Sequence, residues 1–547
     1  MMKHLKQLHG IRGLLPYLKT KRPTVLLIFF LSVIDAGLSL LPIQIIAAVV
    51  DLLSTGRSAF SPILGTSLTL HLVFFGVVYA LKHAVSLAYG HTNTMLSTGI
   101  IESLRDDAMT WALESYKPYK EERREGDIVS RISGDVEAVV RAVAGPLNGL
   151  LPMLLKMLGS VIMMFVWSPV LGAISLALVL PLYVSSKRVA VKSKEIAAEQ
   201  RAANGRLVGA VGDLLYCIPI IKAWGSESFE AKGFHAFSHQ MSTLNKKSQQ
   251  IFNIYWAITY TLMTIGYLSA VVFSARSALA GAATAGSIAV AYSYMSNILT
   301  PAASISRYGN DIFQADAALA RVFELKPAAA SPAAPYALHD APAVEFDHVT
   351  ISCSEHKQLQ DLCFTAAPHQ LVVLAGESGS GKSTILNALL GNQPTTGGKI
   401  FVDHVDVTGQ LDRLRSSVSV AFQASYLFDR SIADNVAYAS DAPDGQRIEE
   451  ALRASGLGGL VRERGTDFAV GSKGKFLSGG EQRRVAFSRA LYKSAPLYLL
   501  DEPTSELDPE TSRVILEQIL RLKQSATVIA ASHDAALIEQ ADIVVTL

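Results

Sequence analysis

Apolar residues are not spread evenly along this chain; they gather into long runs before residue 305. Runs of about 20 residues, enough to cross a bilayer, lie near 24–48, 68–90, 147–167, 169–187, 250–275 and 286–305. Only Trp167-Ser168-Pro169 separates the third from the fourth. That tripeptide predicts a tight turn with an interfacial aromatic, because proline does not continue a single bent helix cleanly. The segments 100–143 and 187–248 are too polar for lipid yet keep helical character. From Ser306 to Leu325 the pattern predicts a helix leaving the membrane, and Lys326–Pro342, rich in Ala and Pro, a linker. Beyond it the chain reads as an α/β protein. The expected organisation is 1–325 as a six-span helical domain, 326–342 as linker, and 343–547 as a second domain.

Charge orients the spans. Residues 1–23 hold six Lys or Arg and no Asp or Glu, and both long polar segments are rich in Lys and Arg. The segments 49–67, 167–169 and 276–285 carry only Arg57 and Arg276 as basic residues. The positive-inside bias therefore puts the N-terminus and both polar segments in the cytoplasm. An even number of spans returns the chain there, so a multi-pass protein of an inner (plasma) membrane with both termini cytoplasmic is expected. Half of the 547 residues are hydrophobic and 18% are charged. A soluble enzyme of this size would be more charged. A net charge of +2 gives no bulk reason to expect a nucleic-acid partner. The cysteines Cys217, Cys353 and Cys363 show no metal-ligand or redox spacing and read as small core residues. The first apolar run, starting at Thr24, is too long for the core of a signal peptide.

The second domain carries the chemistry. Leu371–Ala375 reads as a buried strand and Ser383–Leu390 as a helix. Between and into them run Gly376, Glu377, Ser378, Gly379, Ser380, Gly381, Lys382, Ser383 and Thr384. This is the strand–loop–helix setting of a phosphate-binding loop, with glycines letting backbone N–H groups approach phosphates. Lys382 supplies a charge to the β- and γ-phosphates, and the Ser383 hydroxyl suits Mg²⁺. A second strand, Leu497–Leu500, ends in Asp501 and Glu502. Read blandly, these are solvated carboxylates at a strand end, which leaves the upstream phosphate loop unexplained. Leu477-Ser478-Gly479-Gly480-Glu481 opens a helix through Gln482–Leu491, aiming N–H groups and a helix dipole at an anion. Within one chain there is no second phosphate for them. Gln423 and His533 each follow a strand pattern. A lone histidine there would ordinarily be structural.

In chain order the phosphate loop, Gln423, Leu477–Glu481, Leu497–Glu502 and His533 follow one another, and these five motifs resemble the nucleotide-binding domain of an ATP-binding cassette protein over 343–547. Together with the six spans, the whole chain resembles an exporter-type (type IV) half-transporter, a membrane α-helical domain followed by an α/β P-loop NTPase. The resemblance implies ATP and Mg²⁺ as ligands and an ATP hydrolase coupled to transport. It makes Glu502 the general base, with His533 holding base and water at the γ-phosphate. Gln423 becomes the sensor of metal and γ-phosphate, and Asp501 orients Mg²⁺ through water beside Ser383. Ser478, Gly479 and Gly480 would meet the ATP of the opposite subunit, and Ser505-Glu506-Leu507-Asp508 would cross the same seam. Short coupling elements are implied near 116–126 and 210–224. Two departures stand out. Cys353 occupies the place of an adenine-stacking aromatic, a loss of about 1 kcal/mol. Val470-Gly471-Ser472-Lys473-Gly474 lacks the acidic residue and arginine that the family often has before its Leu477–Glu481 segment. Intact catalytic positions allow a homodimer, and the missing aromatic tilts the expectation toward a heterodimer.

Charges inside spans default to function. Asp35, Lys82 with His83, and Lys156 lie within them, so either an Asp35–Lys156 structural pair or a substrate site is expected. Asn253, Tyr255, Tyr292, Ser293, Ser296 and Asn297 are further pathway candidates. The expected function is ATP-driven export of a small molecule, with import of a metal chelate or siderophore as the alternative. A soluble cassette ATPase acting on nucleic acid conflicts with the spans, and a nucleotide-gated channel would not need Glu502 and His533.

Overall fold

The computed structural model describes residues 9–115, 125–327, 336–338, 340–352 and 358–547. Contacts divide the chain into two units, one of the described residues up to Pro327 and one of those after it.

The first unit is helical. Its long helices are α1 (Arg22–Thr55), α2 (Leu68–Ser115), α3 (Gly126–Trp167), α4 (Pro169–Tyr216), α6 (Glu227–Leu279) and α7 (Gly286–Phe323), with a short α5 (Ile218–Trp224). The turn expected at Trp167-Ser168-Pro169 is present. Ser168 is extended, at φ −151°, and its hydroxyl accepts from the Leu171 N–H as the N-cap of α4. α3 contains three π-helical stretches, 131–135, 140–144 and 146–150. The helices outrun the apolar segments: α2 and α4 continue far past 90 and 187 into polar sequence. α5 lies within the second expected coupling segment, whereas most of the first, 116–126, falls outside the described residues.

Large apolar side chains face outward from this unit, Leu26, Phe30, Leu87, Val166 and Leu180 among them. In water such a surface would be untenable, and in lipid it is the expected solvent-facing side. Among the described residues, five helices, α1 to α4 and α6, are long and apolar enough to cross a membrane. The sixth, α7, is of similar length, but its apolar stretch is interrupted by Tyr292, Ser293, Ser296 and Asn297. Its position explains why: it packs on α1, α3, α4 and α6, with Val290, Ala291, Tyr294, Met295, Ile298 and Leu299 buried. A helix surrounded by protein can carry Ser, Asn and Tyr that a lipid-facing one cannot.

The second unit holds two sheets. One is antiparallel, in the order β2-β1-β4-β5, from Gln358–Ala366, Val344–Ser352, Thr395–Val402 and Val405–Asp406. The other is parallel, in the order β6-β7-β8-β3-β9, from Val418–Ala421, Leu497–Asp501, Thr527–Ala531, Leu371–Ala375 and Ile543–Thr546. β3, β7 and β8 are buried at every position, so their sequences are continuous apolar runs. Helices α8 (Lys382–Leu389), α9 (Gly479–Lys493) and α10 (Pro509–Leu522) belong to this unit. Tyr336 and Leu338, inside the expected linker, are bonded to it: their N–H groups donate to Arg413 O at 3.1 Å and Ser417 Oγ at 2.9 Å.

Candidate functional site

Parallel strands end on one edge of their sheet, and in open α/β sheets that carboxyl edge is where ligands sit. The phosphate loop follows β3, Gln423 follows β6, Asp501 ends β7 and leads into Glu502, and His533 follows β8. Sheet order thus gathers motifs that are far apart in sequence.

Around the loop the geometry is tight. Gly381 has φ +115°, and a Cβ built there would sit 2.6 Å from Leu359 Cδ1, so only glycine fits. Lys382, 6% exposed, donates through Nζ to the carbonyls of Gly376 at 2.8 Å and Glu377 at 3.1 Å. The Ser380 hydroxyl is enclosed with no hydrogen-bond partner. Ser383 Oγ donates to Asp501 Oδ1 at 2.9 Å. Burial, with the neighbouring Glu502 charge adding to it, pushes the Asp501 carboxyl up from its ordinary range against the Ser383 bond. The backbone N–H of Gln423 also faces this carboxylate. An unsatisfied hydroxyl, a cation resting on neutral carbonyls and a buried carboxylate beside a serine hydroxyl fit a phosphate chain with a divalent metal.

Glu502 sits at the hub, 8% exposed. Oε1 lies 3.7 Å from Lys382 Nζ, and Oε2 lies 2.9 Å from His533 Nδ1. The His533 contact lacks the alignment of a hydrogen bond, leaving Oε2 enclosed and unsatisfied. The residue holds φ +49°, strained for a side chain with a Cβ, and its N–H donates to Ala531 O at 2.9 Å. Backbone strain fixed by the neighbouring strand at a buried carboxylate is a common mark of an active site.

The start of α9 is built differently. Ser478 caps it: the Glu481 carboxylate accepts from the Ser478 N–H at 2.7 Å and hydroxyl at 2.8 Å. Burial opposes the Glu481 charge, but the Ser478 donors outweigh it and hold this carboxyl below its usual range. Among the described residues, no hydrogen bond joins Ser478 to the Lys382–Glu502 cluster. α9 is tied instead to Ser505 and Glu506: Arg483 donates to the Ser505 carbonyl, to Ser505 Oγ at 2.5 Å and to Glu506 Oε2 at 2.9 Å. The Gly474 carbonyl, at the end of the departing Val470–Gly474 segment, and the Leu477 carbonyl accept from Gln482 Nε2 at 3.0 and 3.1 Å.

Sequence reasoning missed Arg489 and Asn435. Arg489 donates to Asn435 O and Tyr426 O, each at 2.8 Å, and to Asn435 Oδ1 at 3.0 Å. Asn435, fully buried, in turn bonds both backbone groups of Phe428. The chain just after Gln423 is thereby fastened to α9. An arginine on a helix reads as solvated surface in sequence, and nothing in its spacing signals the backbone acceptors beneath it. Cys353 lies outside the described residues.

In the membrane unit, Asp35 lies within Coulombic reach of Lys82, Lys156 and His83. Among the described residues, no ion pair joins Asp35 to Lys156, and Asp35 Oδ1 is enclosed without a hydrogen-bond partner. The cluster is therefore brought together but not closed as the structural pair. Asn297 Nδ2 is likewise enclosed and unpaired. Asn253 is exposed and accepts from Gln249 at 3.1 Å. Tyr255 is a packing residue, its hydroxyl donating to Ala303 O at 2.7 Å.

Comparison with known proteins follows the same division. The family model for the ABC transporter transmembrane region matches residues 25–302, and that for the ABC transporter matches 359–505. The chain is 27% identical to the ATP-dependent lipid A-core flippase of Saccharophagus degradans, over 92% of this chain and 87% of that one. It is 27% identical to the ABC-type oligopeptide transporter ABCB9 of Mus musculus, over 95% and 68% respectively. A 221-residue stretch, 40% of this chain and 38% of the other, is 38% identical to the mycobactin import ATP-binding/permease protein IrtB of Mycolicibacterium smegmatis. The fold is that of a bacterial Atm1-family ABC exporter solved with ATP bound, at TM-score 0.82 and 21% identity over 96% and 93% of the two chains.

Proposed function

The chain belongs to the ABC transporter family, and from that premise we propose that it is one half of a dimeric ATP-driven exporter of a small molecule. It would sit in an inner (plasma) membrane with both termini cytoplasmic. One observation carries the reading. The hydrolytic side chains Lys382, Asp501, Glu502 and His533 converge at one sheet edge, while the anion-binding start of α9 makes its bonds elsewhere. That division suits a site completed by a second chain, either another copy or, favoured by the Cys353 departure, a related partner.

The phosphate loop binds the triphosphate through its N–H groups and Lys382, whose present partners are two carbonyls and Glu502. Glu502, kept out of bulk water and beside His533, accepts the proton of the attacking water. Mg²⁺, held by Ser383, Gln423 and Asp501, would neutralise charge on the phosphates. Ser478, Gly479 and Gly480 of the partner close over the γ-phosphate. α5 and its flanking turn are the part of 210–224 assigned to carrying closure toward the spans.

For cargo, the Asp35, Lys82, Lys156 and His83 cluster leaves cationic groups unneutralised and favours an anionic or metal-chelating compound. The same cluster supports a second reading, import of a metal chelate. ATP-dependent uptake into inside-out vesicles is expected for an exporter; uptake only into right-side-out vesicles would overturn it in favour of import.

A further inference from the structure

His348, Asp361 and Cys363 meet on the outer face of the antiparallel sheet. We propose that they form a binding site for a borderline divalent cation of the Zn²⁺ class, separate from the Mg²⁺ of the nucleotide site.

β1 pairs with β2 in antiparallel register, Phe346 opposite Phe364 and Val349 opposite Leu362, with a bulge between these pairs. The bulge turns His348 to φ +50°, and Asp361 opposite stands at φ +59°. Neither conformation is comfortable for a residue with a Cβ. Gly398 of β4 lets the bulge pass, since a Cβ there would sit 2.2 Å from the His348 carbonyl oxygen. These local distortions point three ligand types at one another.

His348 Nδ1 lies 2.5 Å from Asp361 Oδ1 and 3.5 Å from Cys363 Sγ. All three ligand atoms fall within 4.8 Å of one another. The His348 N–H donates to Cys363 Sγ at 3.3 Å, which fixes the sulfur's position. In a tetrahedron, zinc–nitrogen and zinc–oxygen bonds of about 2.1 Å set those atoms roughly 3.4 Å apart, and a zinc–sulfur bond of about 2.3 Å sets nitrogen and sulfur roughly 3.6 Å apart. The nitrogen–sulfur separation of 3.5 Å already matches. The nitrogen–oxygen separation must open by about 1 Å on that geometry, which an exposed aspartate does by rotation. Asp347 Oδ1 lies 3.9 Å from the other ring nitrogen, Nε2, too far to accept its hydrogen bond, and adds negative charge beside the cluster. A mixed nitrogen, oxygen and thiolate set suits Zn²⁺ and is poor for Mg²⁺, which takes oxygen alone. Three protein ligands at an exposed place leave room for water as the fourth.

The test uses the full-length purified protein, chelator-treated, reduced and nucleotide-free. Titration with Zn²⁺ alone is expected to show one site per chain. Co²⁺ in its place is expected to give a thiolate charge-transfer band that Cys363→Ser removes and Cys217→Ser and Cys353→Ser keep. His348→Ala and Asp361→Asn should each weaken Zn²⁺ binding at least about tenfold. A melting midpoint close to the parent's shows that each variant remains folded. Folded variants that bind Zn²⁺ as tightly as the parent, or a Co²⁺ band insensitive to Cys363→Ser, would overturn the assignment.

Discussion

Exchanging Glu502 for glutamine keeps the side chain's shape and removes its charge and its basicity. Two effects follow, and they separate. A positioned general base contributes about 10²–10⁴ in rate, so kcat for ATP hydrolysis should fall by that range. Binding should move the other way. Oε1 stands 3.7 Å from Lys382 Nζ, both groups being buried. At an effective dielectric near 20 their gross attraction is about 4 kcal/mol. Phosphate must compete with that attraction in the parent and not in the variant. If even a fifth of it is recovered, ATP binds severalfold more tightly. Steady-state ATPase and nucleotide-binding assays on the reconstituted protein read the two quantities separately. A variant that hydrolyses ATP within a fewfold of the parent rate would refute Glu502 as the base. One that loses ATP affinity would refute the competition for Lys382.

Asp501→Asn should abolish Mg²⁺-dependent hydrolysis yet raise the melting midpoint of the nucleotide-free protein. Burial raises the folded pKa of Asp501; such an acid favours folding below its unfolded pKa and loses that contribution as pH rises through the folded value, so its charge destabilises at neutral pH. The gain should shrink as pH falls toward the carboxylate range, and a lower midpoint at neutral pH contradicts it. Gly381→Ala meets both a left-handed φ and Leu359, so affinity for a non-hydrolysable ATP analogue should drop at least about tenfold. Adding Leu359→Ala removes the clash and not the φ strain, so full recovery would show that only the clash matters. Arg489→Ala strands the acceptors on Asn435 and Tyr426 and should destabilise the second unit by about 2–4 kcal/mol in denaturant unfolding. Lys156→Met should reduce stimulation of ATPase by the transported compound, and undiminished stimulation would remove Lys156 from the cargo site.

The candidate nucleotide site was legible where its motifs are short and continuous in sequence, and all of them but Leu477–Glu481 follow a strand of the parallel sheet. Sheet order then did the rest, setting Gln423, Glu502 and His533 beside the phosphate loop. Helices were legible as apolar runs, but their ends were not. α2 and α4 continue into polar sequence with no cap to stop them, so hydropathy marks where lipid ends and says nothing of where the helix does. α7 shows the converse: its polar residues weaken the span signal because protein, not lipid, surrounds it. Arg489 and the His348–Asp361–Cys363 cluster escaped for a different reason. Their partners meet across a helix face or a bulged ladder, and Cys363, read as a core residue without ligand spacing, is exposed beside a histidine 15 positions away. Linear spacing cannot register a contact that a β-bulge creates.

A hydrolytic site shared between two chains works only when they pair. Nanodiscs assembled to hold either one chain or a pair, the second being another copy or the natural partner, allow ATPase to be measured per chain. Hydrolysis near background is expected in single-chain discs and full activity in paired ones. Equal rates per chain in both would contradict a shared site.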